Sequence, residues 1–243
     1  MKNFCSVGVF DSGIGGLNVL NACQKAVNNV NFVYFGDNKN APYGNKDLAY
    51  LKKRANYIVN IFRKYKISNV VIACNTLSVS LGDYLIKTNK DINFVLTLPI
   101  RPSEFKNPIL LSTPLTSKSD YVKNLYLKNE VVPLPFLARE IEDNIFNFKN
   151  INIKNDLKGI PKNADCVVLG CTHYLYLKKV IKSLVNMPVV SGIYDVADNL
   201  KNLLLRENYN IENSSLKKIN LNNIIFIGES ANYNKKVYNS FFK

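Results

Sequence analysis

The chain has 243 residues, 47% apolar and 21% charged, which is the balance of a globular protein with room for one large core or two smaller ones. No apolar run approaches the length of a membrane-spanning helix, and no membrane partner is expected. The formal charge of +14 invites a nucleic-acid reading, but the lysines are spread along the whole chain, many beside asparagine, with no compact basic block and no interleaved aromatics. This is the pattern of a solvated face, and it argues against a nucleic-acid partner.

The five cysteines are scattered and odd in number, which fits a reducing compartment better than a disulfide framework. The first residues run directly into a strand pattern, leaving no room for a cleavable signal peptide, so a cytoplasmic location is expected.

Short β-branched runs bounded by Gly, Pro, Asn or Ser predict strands at Val7–Phe10, Phe32–Phe35, Val70–Ala73, Phe94–Leu98, Ile109–Leu111, Val131–Leu134, Val167–Leu169, Val189–Val190 and Ile224–Ile227. Helix periodicity lies between several of them. From Asp47 to Tyr65, Leu48, Leu51, Ala55, Ile58, Val59 and Phe62 form one stripe, with Lys52, Lys53 and Arg63 opposite. A second helix is predicted over Phe136–Phe148, with Leu137, Ile141, Ile145 and Phe148 on one side and Pro135 suited to its start. A third covers Leu175–Leu184.

Alternating strands and helices imply parallel α/β layers, in which ligands bind at the carboxyl ends of the strands. Four segments just after strands carry unusual residues: Asp11-Ser12-Gly13, Cys74-Asn75-Thr76, Ser112-Thr113-Pro114-Leu115-Thr116 and Cys171-Thr172-His173. A strand followed by a Ser-bearing turn occurs once in each half of the chain, and so does a strand followed by Cys with a nearby Thr. That is the pattern of two related α/β domains facing each other.

Cys74 and Cys171 each stand between a buried strand and a helix start, where partial positive charge and free N–H groups are expected to lower a thiol pKa and favour the thiolate. Cys5, Cys23 and Cys166 read as small packing residues; Cys166 sits inside its strand rather than after it. His173, the one histidine of the chain, lies two residues from Cys171 and reads equally as a structural residue or as an acid–base partner. Cys166, Cys171 and His173 lack the spacing of a metal set, so no metal is expected. The turn Gly13-Ile14-Gly15-Gly16 fails the dinucleotide fingerprint at Asn18 and lacks a P-loop lysine. It reads instead as a turn whose N–H groups bind a small anion such as a carboxylate, with Asp11 able to cap the helix that follows.

Taken together, Gly8–Leu17, Tyr34-Phe35-Gly36-Asp37, Ala41-Pro42-Tyr43-Gly44-Asn45-Lys46, Ala73-Cys74-Asn75-Thr76, Thr113–Tyr121 and Leu169–Tyr174 fall in order over nearly the whole chain and resemble the glutamate racemases. The resemblance implies two similar parallel-sheet α/β domains related by pseudo-twofold symmetry, residues 1–98 with 208–243 and residues 99–207, with the active site in the cleft between them. It implies interconversion of L- and D-glutamate without a cofactor, for cell-wall peptidoglycan, in an enzyme expected to be a homodimer. By the same resemblance Cys74 takes the proton from the D-isomer, assisted by Asp11, and Cys171 from the L-isomer, assisted by His173. Substrate contacts would come from Ser12, Pro42, Tyr43, Gly44, Asn75, Thr76, Thr113, Thr116 and Thr172. A base and an acid on opposite faces suit a racemase, because two like groups exchange roles with direction.

Three departures stand out. The family's usual glutamate after the Val-Pro-Leu strand is missing at Phe136, and Glu140, one helical turn on, reads either as its substitute or as a solvated helix residue. Leu175 replaces a proline, and Thr97–Asn107 is short, as if a helix were trimmed. Two other readings remain open: a racemase for aspartate or another amino acid, and a catalytically weak homologue that acts as a binding protein.

Overall fold

A computed structural model of the protein describes residues 5–209, 211 and 224–243. The chain runs β1 (Cys5–Asp11), α1 (Gly16–Ala26), β2 (Val30–Gly36), α2 (Leu48–Lys64), β3 (Asn69–Ile72), α3 (Asn75–Thr88) and β4 (Asn93–Leu96). It continues with β5 (Pro108–Ser112), α4 (Pro114–Ser117), α5 (Asp120–Leu125), β6 (Val131–Pro133), α6 (Leu137–Asp143), α7 (Ile153–Asp156), β7 (Cys166–Gly170), α8 (Lys178–Val185) and β8 (Val189–Val190). The last described elements are α9 (Ile193–Arg206), β9 (Ile224–Ile227) and α10 (Ala231–Phe242). Each of the nine predicted strands has its counterpart, with ends that coincide or shift by at most two residues.

Two all-parallel sheets result, ordered β4-β3-β1-β2-β9 and β6-β5-β7-β8. Reversed, the second reads β8-β7-β5-β6, which matches the first four strands of the first sheet one for one. Under this match β1 corresponds to β5 and β3 to β7. The strand that leads to Asp11 is thus equivalent to the one that leads to Ser112, and the strand that leads to Cys74 to the one that leads to Cys171. The internal repetition in the sequence is therefore a repetition of fold, and the two α/β domains meet along the carboxyl ends of these strands.

The sequence explains the elements locally. β1 carries Val7, Gly8, Val9 and Phe10 without polar alternation because helices cover both faces of its sheet. α2 buries Leu51, Ala55, Ile58, Val59 and Phe62, and the Asp47 carboxylate accepts the Tyr50 N–H at 2.8 Å to cap it.

α6 is shorter than its periodicity predicts. It stops at Asn144, whose side chain and backbone N–H both donate to the Glu140 carbonyl at 2.9 and 3.0 Å, competing with continuation of the helix. The apolar stripe outlasts it, with Ile145 still buried. The third predicted helix divides into a 3-10 turn over Thr172–Leu177, which holds Leu175, and α8.

Residues 97–107 contain no helix. This connection is anchored instead by a bidentate Arg101–Glu130 pair at 2.7 and 2.8 Å and by hydroxyl donation from Tyr121 and Tyr126 to the carbonyls of Pro99 and Ile100. α9 packs on α1, so it lies against the first sheet rather than the second. Among the described residues no helix is long and apolar enough to cross a membrane.

Candidate active site

Eleven of the thirteen residues singled out in the sequence, together with Ala138, enclose one small space between the domains: Ser12, Pro42, Tyr43, Gly44, Cys74, Asn75, Thr76, Thr113, Cys171, Thr172 and His173 are all on its wall, and Asp11 and Thr116 stand just behind it.

 The enclosed volume is about 10 Å³, room for roughly one water molecule and far less than an amino acid needs, so the domains are closed on each other. Gly44 shows how tightly: a Cβ there would stand 2.3 Å from Thr113 Cβ on the opposite wall.

The two thiols have different neighbours. Cys74 follows β3 and leads into α3. The lowered pKa expected at this helix start is not what the closed site produces. Burial pushes the thiol well up and the Asp11 carboxylate pushes it further, and the nearby Leu77 N–H and Ser12 hydroxyl only partly offset them. Asp11 is itself raised by burial, against the opposing pull of His173 and of the N–H groups of Gly13 and Gly16. Its Oδ2 accepts the Gly13 N–H at 3.0 Å, and its Oδ1 accepts the Thr172 hydroxyl at 3.2 Å across the cleft. The formal cap of α1 is Gly15, so Asp11 binds the turn ahead of the helix.

Cys171 follows β7, with its Sγ 3.8 Å from His173 Nδ1. The other ring nitrogen, Nε2, lies 2.7 Å from Glu142 Oε1, an ion pair buried on both sides. Burial alone would push the His173 pKa down, but hydrogen bonds and charge from Cys171 and Glu142 outweigh it, and the pKa stands well above the ordinary histidine value.

The acid at His173 is therefore Glu142, and Glu140 is not its substitute. Two residues along a helix is a rotation of about 200°, so the two carboxylates face opposite ways. Glu140 shares the side of Phe136, which is 68% exposed, whereas Glu142 lies one turn beyond Ala138 and faces the cleft. An acid set among the buried positions Ala138 and Ile141 was the available signal, and the apolar stripe alone did not reveal it. The sequence reading also missed that the anion on the Gly13–Ile14 turn is this same side chain, since Glu142 Oε1 accepts the Ile14 N–H at 2.7 Å.

Opposite the thiols, the hydroxyls of Thr76, Thr113 and Thr116 form a triangle with sides of 3.0, 3.1 and 3.0 Å. Asn75 donates from its side chain to the Thr97 carbonyl at 3.0 Å. Tyr43 donates to Asp37, which Arg54 grips with two bonds of 2.9 and 2.6 Å, so the Pro42-Tyr43-Gly44 wall rests on a buried ion pair. Among the described residues no three His, Cys, Asp or Glu side chains gather as a metal-binding set.

No family model matches the chain. Individual relatives do. It is 34% identical over 227 residues to the glutamate racemase of Clostridium acetobutylicum, covering 87% of this chain and 88% of that one. It is 32% identical over 216 residues to the glutamate racemase of Leptospira interrogans, covering 84% of each. The chain belongs to the glutamate racemase family. It is accordingly an isomerase, an amino-acid racemase. The fold agrees: glutamate racemase from Thermus thermophilus, in complex with β-chloro-D-alanine, superposes with a TM-score of 0.76 at 24% identity, covering 100% of this chain and 95% of that one. The Francisella tularensis enzyme, in complex with D-glutamate, gives 0.75 at 23% identity, with 98% and 94% covered.

Proposed function

We propose that the protein interconverts L- and D-glutamate by passing the α-proton between two thiols, Cys171 acting on the L-isomer and Cys74 on the D-isomer. The observation that carries this reading is the pair of cysteines at equivalent strand ends of two matched sheets, both on the wall of one enclosed space. An α-proton is very weakly acidic, so the carbanion-like transition state needs donors aimed at the substrate carboxylate. The Thr76, Thr113 and Thr116 hydroxyls and the N–H groups at the start of α3 are suited to supply them. When Cys171 is the base, its proton passes toward His173, whose charge Glu142 balances. When Cys74 is the base, Asp11 and Ser12 are the groups in contact with the events at its sulfur.

Substrate enters this scheme when the domains part. We place the boundaries at residues 1–98 with 208–243 and residues 99–207, with the refinement that α9 travels with the first domain because it packs on α1. The product would serve as D-glutamate for peptidoglycan. Every role in this scheme falls to a side chain or a backbone N–H of the protein, so dialysis against a chelator should leave the rate unchanged; a rate lost with chelator and restored by zinc would refute that.

The test is to incubate the purified protein with L-glutamate and, separately, L-aspartate in heavy water. Racemisation of glutamate is expected, with deuterium in the D product and early retention of hydrogen in the remaining L pool. Preferred turnover of aspartate would reassign the substrate. Substantial return of the original hydrogen to the product would replace two bases by one.

A further inference from the structure

Glu142 belongs to the second domain, yet most of its partners belong to the first. Its Oε1 accepts the Ile14 N–H at 2.7 Å, its Oε2 accepts Asn38 Nδ2 at 3.2 Å, and its main-chain oxygen accepts the Tyr233 hydroxyl at 3.3 Å. From its own side, His173 Nε2 lies 2.7 Å from Oε1. The approach is close enough that a Cβ on Gly13 would stand 1.7 Å from Oε1, so the glycine is what admits the carboxylate.

The orientation of Asn38 is informative. Its Oδ1 is buried and has no hydrogen-bond partner among the described residues. Turning the amide over would not cure this, because it would set Oδ1 against the Glu142 carboxylate, acceptor against acceptor. The side chain gives up one hydrogen bond in order to donate the other to Glu142. Asn38 follows directly on Asp37, which Arg54 holds in place, so the donor is presented from a fixed point.

We propose that Asn38 is a positioning residue of the racemase: acting through Glu142, from across the cleft, it sets the orientation of His173 and so governs proton transfer at Cys171 but not at Cys74. Because Asn38 and the Ile14 N–H reach Glu142 only when the domains are together, closure over the substrate completes the Cys171 half of the machinery. The other half, Asp11, Ser12 and Cys74, lies within the first domain, and what closure brings to it is the Thr172 hydroxyl on Asp11. This rests on the racemase reading above and deepens it.

The test uses Asn38→Asp, which keeps the shape but replaces the donor by a like charge, and Asn38→Ala, which removes it. Racemisation has an equilibrium constant of one, so kcat/KM must fall equally in both directions, by roughly ten- to hundredfold for loss of a hydrogen bond to a charged group. Primary isotope effects separate the two faces. With α-deuterated L-glutamate the effect should rise toward its full value, because proton removal by Cys171 has become slow. With α-deuterated D-glutamate it should fall, because delivery by Cys171, and not removal by Cys74, has become slow. A purely structural role would move neither effect or move both together, and that result overturns the proposal. Wild-type turnover is the separate check: its absence overturns the racemase reading itself, whereas normal wild-type turnover with unsplit isotope effects in the variants overturns only the role of Asn38.

Discussion

The Cys74 and Cys171 half-sites stand at equivalent positions of two matched sheets, yet their surroundings have diverged. Around Cys74 the ionisable group that acts most strongly is an acid, Asp11, and the thiol is held toward its protonated form. Around Cys171 it is His173, which Glu142 holds toward its own protonated form. Symmetry of fold thus carries asymmetry of charge. A racemase needs a proton donor on one face while the other face accepts, and an acid beside one sulfur with an imidazolium beside the other supplies that difference before substrate arrives.

The comparison breaks most completely at the sulfurs. Cys74→Ala and Cys171→Ala should each abolish racemisation, by on the order of 10³-fold or more, since each leaves one face without its acid or base. The serine variants should lose several orders of magnitude as well, because a hydroxyl is a far weaker acid than a thiol. Chiral analysis of the product measures this directly, and substantial turnover by either alanine variant would refute a two-thiol mechanism.

Glu142→Gln should come next, with kcat/KM lower by roughly ten- to hundredfold in both directions, because the charge opposite His173 is gone while the shape stays. Glu140→Gln, on the opposite side of the same helix, should race close to the wild-type rate. Equal losses in the two variants would mean that α6 matters as a packed helix and not through one carboxylate.

These two glutamates also mark where the sequence was legible and where it was not. Strand positions follow from β-branched runs bounded by turn residues, and the two-sheet repetition follows from what stands after each strand, so Cys74, Cys171, Asp11, Ser12 and the threonines were all visible. The choice of Glu142 over Glu140 depends on the phase of α6, which its packing against the 3-10 turn of His173 decides. The pKa of Cys74 was misjudged for a related reason: a helix start lowers a thiol pKa in solvent, but closure of the cleft adds a burial penalty that no local pattern records. Asn38 acts only across the domain interface, on a residue 104 positions away in the chain.

The His173–Glu142 pair also predicts a pH dependence of stability. The folded pKa of His173 is raised above its unfolded value near 6.5, so the pair's contribution is fully present below that unfolded value and is lost as pH rises through the folded pKa. In Glu142→Gln the raised pKa relaxes. The gap in Tm between wild type and Glu142→Gln should therefore be widest near pH 6 and narrow in alkaline solution. A gap that widens with rising pH would mean that the imidazole is neutral in the folded protein.

The smallest effect sharpens the comparison by supplying its control. Cys23, inside α1, and Cys166, inside β7, are fully buried like the two working thiols, but neither stands after a strand and neither is on the wall of the enclosed space. Burial pushes Cys23 up to about 12, so at neutral pH it is a thiol that packs as a small apolar group. The same cause raises Cys166 to about 11. Cys23→Ala and Cys166→Ala should each cost about 1 kcal/mol of stability, the usual scale for trimming one buried atom, with racemisation at the wild-type rate. Denaturant unfolding and the chiral assay on the same preparations separate the two quantities. If either variant lost turnover in proportion to the loss in Cys74→Ala, burial of sulfur in this fold, and not its place at the end of a strand, would be what activity requires, and the distinction between working and packing cysteines would fail.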